Sequence, residues 1–282
     1  MDWIKNYYKI IGIGEATHGQ LKINNWRIQL FKTLVKKHRF TVLVMEEEYS
    51  CGKILDKYIK NKSNFYLDGI DNIGFLNKSF VNLLKWMRKY NMKNNNTLSI
   101  IGIDCQGLCP KYKSNSKTTN YVTNLVQKYN NNPTQGTRDK YMYKIFMKQF
   151  NINKKYVIFG HNAHLQKEKY DVKDNIIWLG NYLSKYFANK YFVIGNTFYR
   201  GKYLAKDTDN NYKLSIAKIK VKKELEDGLY FTNKKLKKVN VYEGEVSFSS
   251  KNPNKTFYKI KFNNRFDALI VINNEKAFIL IS

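Results

Sequence analysis

Tyr8-Lys9-Ile10-Ile11-Gly12-Ile13-Gly14-Glu15 is a short apolar run that closes on a carboxylate. A helical pattern follows, with Leu21, Trp26, Leu30, Phe31, Leu34 and Val35 recurring near a period of 3.6. The rhythm then repeats. Thr41-Val42-Leu43-Val44-Met45 reads as a strand, with helices over 51–60 and over 76–91, the second carrying Leu76, Phe80, Leu83, Leu84 and Met87. Further runs fall at Leu98–Ile103, Tyr156–Phe159 and Tyr191–Gly195. Strands apolar on both faces and separated by helices predict a three-layer α/β fold, a mainly parallel central sheet with helices on both faces.

Past residue 200 the pattern shifts to strands at 214–219, 238–242, 257–262, 268–273 and 277–281, spaced by turn signals such as Asp227-Gly228 and Asn273-Asn274. These are expected to extend the same sheet as a mixed C-terminal edge. Residues 111–120 and Asn130-Asn131-Asn132-Pro133 read as loops. No Pro/Gly/Ser-rich linker or charge block divides the chain, so 1–282 is expected to be a single domain.

The 282 residues carry 50 Lys plus Arg against 22 Asp plus Glu, a formal charge of +28, yet 43% are hydrophobic, which excludes a disordered chain. No run approaches the ~18 apolar residues of a membrane span. The first residues lack a secretory pattern, and three cysteines (Cys51, Cys105, Cys109) cannot form a paired framework, so a reducing, cytoplasmic setting is expected. Arginine occurs only at 27, 39, 88, 138, 200 and 265, and the lysines are dispersed through a chain also rich in Asn, Ile and Tyr. That profile fits AT-rich codon usage. Weak attraction to polyanions follows from it; a specific nucleic-acid partner or a membrane partner does not. The oligomeric state is not encoded in any pattern found.

The polar residues that end the early runs carry the functional signal. They are Glu15, Glu46, Asp104 and, after Gly160, His161. In parallel α/β sheets ligands bind beyond the carboxyl ends of the strands. Asp104 can be accounted for as a helix N-cap; Glu and His are poorer caps. Glu15 and His18, and likewise His161 and His164, stand at i, i+3, which places each pair on one side of a helical turn. Three of the four histidines therefore fall in these two segments. His38, at a Lys-rich helix end, reads as a favourable C-terminal charge.

Several chemistries are excluded. Gly14 to Gly19 has Walker spacing, but Gln20-Leu21 stands where Lys and Ser or Thr are required. Thr17 occupies the place of the third glycine of a dinucleotide fingerprint. There is no Gly-x-Ser-x-Gly elbow and no Cys-x-x-Cys pair.

Taken in order, these motifs resemble those of the erythromycin esterase family. Gly14-Glu15-Ala16-Thr17-His18-Gly19 is similar to its opening motif, and Glu46 to its second. Ile101-Gly102-Ile103-Asp104-Cys105-Gln106 is similar to its third. Arg138-Asp139, preceding a helix with Met142, resembles its arginine-led helix, and Phe159-Gly160-His161-Asn162-Ala163-His164 its histidine pair. Phe266-Asp267-Ala268-Leu269-Ile270 resembles its terminal strand.

The resemblance implies hydrolysis of a small-molecule ester, in known members a macrolide lactone. It implies catalytic roles for Glu15, His18, Glu46, His161 and His164, with His18 as base, and places Arg27, Asp104 and Arg138 at substrate. Family members usually carry a long helical insertion between the motifs of Asp104 and Arg138. Here Gly107–Thr137 leaves room for one helix, over about Asn120 to Tyr129, so a shallower cleft and weak macrolide hydrolysis are expected. Water activated by His18 needs no cofactor. The rival is metal-assisted hydrolysis, in which His18, Glu46, His161 and His164 hold one divalent ion and Glu15 is the base. A non-enzymatic polyanion binder on the same scaffold is the remaining alternative.

Overall fold

The computed structural model describes residues 2–61, 77–95, 97–107, 114–168, 176–232, 236–244, 247–252, 256–262 and 264–277. In chain order the elements begin with β1 (Ile10–Glu15), α1 (Leu21–His38), β2 (Val42–Glu48), α2 (Tyr49–Ile59), α3 (Lys78–Lys93) and β3 (Ser99–Asp104). Next come α4 (Lys117–Asn131), α5 (Gln135–Gln149), β4 (Tyr156–His161), the one-turn α6 (Asn162–Leu165), α7 (Leu179–Phe187) and β5 (Tyr191–Thr197). The C-terminal part adds β6 (Arg200–Asp207), β7 (Lys213–Lys220), β8 (Gly228–Phe231), β9 (Asn240–Gly244), β10 (Ser247–Phe248), β11 (Phe257–Lys261) and β12 (Ala268–Val271).

Seven strands form the central sheet in the order β3-β2-β4-β1-β5-β12-β8. All pairings are parallel except that of β8 with β12. The alternating side chains of each strand feed two cores. Ile11, Ile13, Leu43, Met45, Val157 and Phe159 pack with α1 and α3 on one face. Ile10, Val42, Val44, Ile101, Tyr156 and Ile158 pack with α4, α5 and α7 on the other. The expected three-layer, mainly parallel architecture with a mixed edge is what the chain adopts.

The C-terminal strands depart from expectation. Only β12 and β8 extend the central sheet. β10-β6-β7 form a separate three-stranded sheet and β11-β9 a two-stranded one. The small sheet has a core of its own around Ala16, Phe198, Tyr203, Ala217, Ile219, Phe248 and Phe257. β6 and β7 bury only alternate residues, so they cannot lie inside a sheet covered on both faces. The strand expected at 277–281 lies outside the described residues beyond Ala277, which bridges to Gln20.

Smaller corrections concern helices. α4 starts inside the stretch read as loop and runs to Asn131, wider than 120–129, because the Ser116 side chain caps it by accepting from Thr119 N. Residues 108–113 of that stretch lie outside the described set. Arg138 lies within the first turns of α5 rather than before it, since Thr134 is the N-cap. His38 ends α1 beside Lys36 and Lys37, in its basic last turn. Burial, then Lys155, lower its pKa below the usual 6.5. No helix among the described residues is long and apolar enough to cross a membrane.

Candidate active site

The carboxyl ends of β1, β4, β2 and β3 are neighbours in the sheet, so the residues that end them converge. Glu15 pairs with His161 in register at the end of β1 and β4. β2 runs three residues beyond Met45, so Glu46 lies within the strand, just where a bulge shifts its register against β3.

Around Glu15 a compact cluster forms. Its Oε1 lies 2.9 Å from His18 Nδ1 and its Oε2 accepts from Arg27 Nη2 at 2.8 Å. Burial alone would raise this carboxyl, but Arg27 and then His18 hold it below its ordinary value. Burial opposes charge on His18 too, yet its bond to Glu15 and the charges of Glu15 and Glu46 raise its pKa above 6.5. His18 keeps 22% of its side chain exposed against 3% for Glu15, so solvent reaches the imidazole and not its partner. Arg27 lies over the Phe159 ring at 4.9 Å, and its Nε and Nη1 are buried without a partner among the described residues.

The second cluster is built on Arg138. Its guanidinium donates to Asp104 Oδ1 at 3.1 Å and Oδ2 at 2.7 Å, and to Glu46 Oε1 at 2.9 Å. Asp104 is thus a partner of Arg138; its Oδ1 also accepts from Cys105 N, and the next described helix begins only at Lys117. His164 sits between two carboxylates, Nδ1 at 2.8 Å from Asp139 and Nε2 at 3.1 Å from Glu46. Nε2 is also 3.1 Å from Arg138 Nη1. Two donors cannot bond each other, so the Glu46 contact is the hydrogen bond, and the two cations lie side by side across that carboxylate. Burial would keep His164 neutral, but Asp139 and Glu46 raise it to about 10. Glu46 is held well below its usual value against its burial, chiefly by His164 and Arg138.

His161 behaves differently. Its Nε2 lies 3.0 Å from the carbonyls of both Ala16 and Gly244, and its Nδ1 accepts from Ala163 N at 3.2 Å, capping α6. That pattern fixes the neutral Nε2–H tautomer. Burial, then the charge of His18, lower its pKa to about 4. The ring is 5.7 Å from that of His18.

The two clusters meet through Glu46, whose Oε2 accepts from His161 N at 2.8 Å. Glu15, Glu46, Arg27, Asn24 and Gly160 share the lining of a cavity of ≈ 20 Å³, room for one water. All eight residues singled out in the sequence therefore fall in one site. Among the described residues no three His, Cys, Asp or Glu side chains are arranged to hold a metal ion. The histidines of the expected ligand set face carboxylates or carbonyls instead.

Three further positions support the site. Asp139, fully buried, also accepts from Leu179 N and Gln135 Nε2, both at 2.8 Å. Asn162 and Asn196 brace the strand ends: Asn162 brackets the Asn196 backbone at 3.0 and 2.7 Å, and the Asn196 side chain accepts from Ala16 N at 3.1 Å. A Cβ on Gly14 would stand 2.2 Å from Asn162 Oδ1, so this bracket needs glycine there. Asp139 had a visible cue, the Arg-Asp dipeptide. Asn162 stood inside the quoted histidine-pair motif without a role; Asn196 had no cue.

The family model for erythromycin esterase matches residues 35–131 and 114–274 of this chain. Three solved structures share its fold over 98% of its length. A succinoglycan biosynthesis protein is 16% identical, with 90% of its chain covered and a TM-score of 0.76. A Bacillus cereus protein is 17% identical, with 91% covered and a TM-score of 0.73. A mutant of the erythromycin esterase EreC, in its open conformation, is 13% identical, with 93% covered and a TM-score of 0.65. No curated protein sequence matches the chain significantly. Glu15, His18 and Arg27 precede the matched segments, which carry Glu46, Asp104, Arg138, His161 and His164; with the family model spanning most of its length, the chain belongs to the erythromycin esterase family.

Proposed function

We propose that the chain hydrolyses a carboxylic ester or lactone, with His18 as general base toward water. The observation that carries this reading is the Glu15–His18 contact of 2.9 Å, braced from behind by Arg27. With Nδ1–H turned to Glu15, the basic nitrogen of the neutral ring is Nε2. The charges around it favour the transfer. Glu15, Glu46, Asp104 and Asp139 are four carboxylates; Arg27, Arg138 and His164 are three cations. A proton arriving on His18 supplies the fourth positive charge. Arg138 and the His164 imidazolium are the positive groups assigned to the developing oxyanion. His161, with its ring committed to two carbonyls, is a positioning residue.

The substrate follows from the walls. A macrolide site must bury most of a large ring. Between Asp104 and α5 the described residues hold α4 alone, so we place a smaller ester, or an ester on a polymer entering an open groove, in this site. The experiment is a panel of simple esters, lactones and macrolides offered to wild type and to His18→Asn, with and without chelator. His18→Asn is expected to lose turnover by about a hundredfold or more while staying folded. A folded variant that keeps most of its activity sinks the role of His18. Erythromycin turned over with a micromolar KM sinks the small-substrate reading. Activity abolished by chelator and restored by a divalent ion replaces this mechanism with the metal-assisted one.

A further inference from the structure

The sheet formed by β10-β6-β7 has two unlike faces. Tyr203, Ala205, Ala217 and Ile219 turn inward onto Ala16, Phe198 and Phe257. Antiparallel register then puts Arg200 opposite Lys220, Lys202 opposite Lys218, Leu204 opposite Ile216 and Lys206 opposite Leu214 on the outer face. That face holds five cations, no carboxylate and three aliphatic side chains; Leu214 and Ile216 are 52% and 56% exposed. None of the five cations forms a salt bridge among the described residues, although two pairs of like charge stand directly opposite each other, an arrangement that costs stability.

One bland account is that lysines on an edge strand prevent it from pairing with another chain. It covers Lys218 and Lys220 on β7, which is an edge. It does not cover Arg200, Lys202 and Lys206 on β6, which is flanked on both sides, nor the exposed Leu214 and Ile216, which invite association. Nucleic acid fits poorly as well: the outward positions include no aromatic on which a base could stack, and Tyr203 points inward. Cations for phosphate headgroups beside aliphatic side chains that can enter the acyl boundary match one surface.

We infer that the outer face of β6–β7 docks this protein on an anionic lipid bilayer. The docking sheet is tied to the site, since Leu204 N donates to Gly19 O at 3.2 Å, next to His18. Gly19 has φ +80, and a Cβ there would lie 2.0 Å from Leu204 O, so the contact is built into the turn. The docking inference itself needs no catalytic assignment.

The test is co-sedimentation with vesicles of phosphatidylcholine alone and of phosphatidylcholine mixed with phosphatidylglycerol. Four proteins are compared, each checked for an unchanged circular dichroism spectrum. Wild type should bind only the anionic vesicles, less so at high salt. Lys202→Glu/Lys218→Glu should lose binding by at least about tenfold. Lys85→Glu/Lys89→Glu, the same charge change on exposed positions of α3, should bind within about twofold of wild type. Leu214→Ser/Ile216→Ser, with no change in charge, should lose binding several-fold. Equal loss in the two charge variants would mean that net charge alone drives binding and would overturn the docking face. An unaffected Leu214→Ser/Ile216→Ser protein, or duplex DNA bound with the same dependence on Lys202 and Lys218, would overturn the bilayer as its partner.

Discussion

His164 shows how completely neighbours decide a side chain's charge. Asp139 and Glu46 overcome its burial and raise it from 6.5 to about 10. A folded-state pKa above the unfolded one stabilises fully below pH 6.5 and is lost as pH rises toward 10. Asp139→Asn removes one carboxylate of the pair and leaves a buried imidazolium half-compensated. It should cost about 3–5 kcal/mol by urea unfolding and flatten the loss of stability between pH 7 and 10. A variant as stable as wild type at pH 7 removes Asp139 from this role. His18 obeys the same rule with a different outcome. Its pKa is raised, and a general base must be unprotonated, so the acid limb of kcat/KM should lie above pH 6.5. A limb at or below 6.5 would point to another base. The sequence revealed Glu15, His18, Glu46 and His161 because parallel strands deliver their last residues to one edge. It could not reveal that His161 is neutral and His164 charged, because that difference comes from burial and from neighbours, His18 against His161 and Asp139 with Glu46 against His164, that only folding brings together.

At the scale of elements, α1 is instructive because it lacks its own N-terminal anion. Gln20, its N-cap, makes no side-chain cap bond, and its first turn has no acidic residue. The buried Glu275 takes that place from the far end of the chain, accepting from Lys22 N at 2.6 Å and Ile23 N at 3.1 Å. A carboxylate facing a helix N-terminus is favoured by the orphan amides and the dipole. Glu275→Gln should lower stability by about 1–2 kcal/mol with α1 intact by circular dichroism. No change would mean that the packing of α1 on β1 suffices. The same distance effect limits what sequence can show of the fold. β1 to β5 were legible because strands buried on both faces are continuous apolar runs. β6 was missed: Arg200-Gly201-Lys202-Tyr203-Leu204-Ala205-Lys206-Asp207 alternates, and only the partner sheet shows which half is inside. The tracing of 214–219 was sound, but its placement on the central sheet was not, since pairing is set by contacts that strand propensity does not encode.

Across the whole molecule, the groups assigned to the reaction all come from residues 15–164, yet the turn that presents His18 is held largely by segments later in the chain. Ala16 N is bound by Asn196, Ala16 O is met by Gly244 N at 2.7 Å and by His161, and Gly19 O accepts from Leu204 N. β5, the strand beside β1, also belongs to this later part. The turn is therefore a keystone resting on two abutments made at different times as the chain leaves the ribosome. A nascent chain that has released α6 carries every group assigned to the reaction and still lacks the frame that sets them. Fragment 1–190 should accordingly be inert toward esters and gain activity when 191–282 is co-expressed with it. Hydrolysis by fragment 1–190 alone would show that the turn sets itself. On this reading the full-length chain should gain its activity only once its last strands are in place.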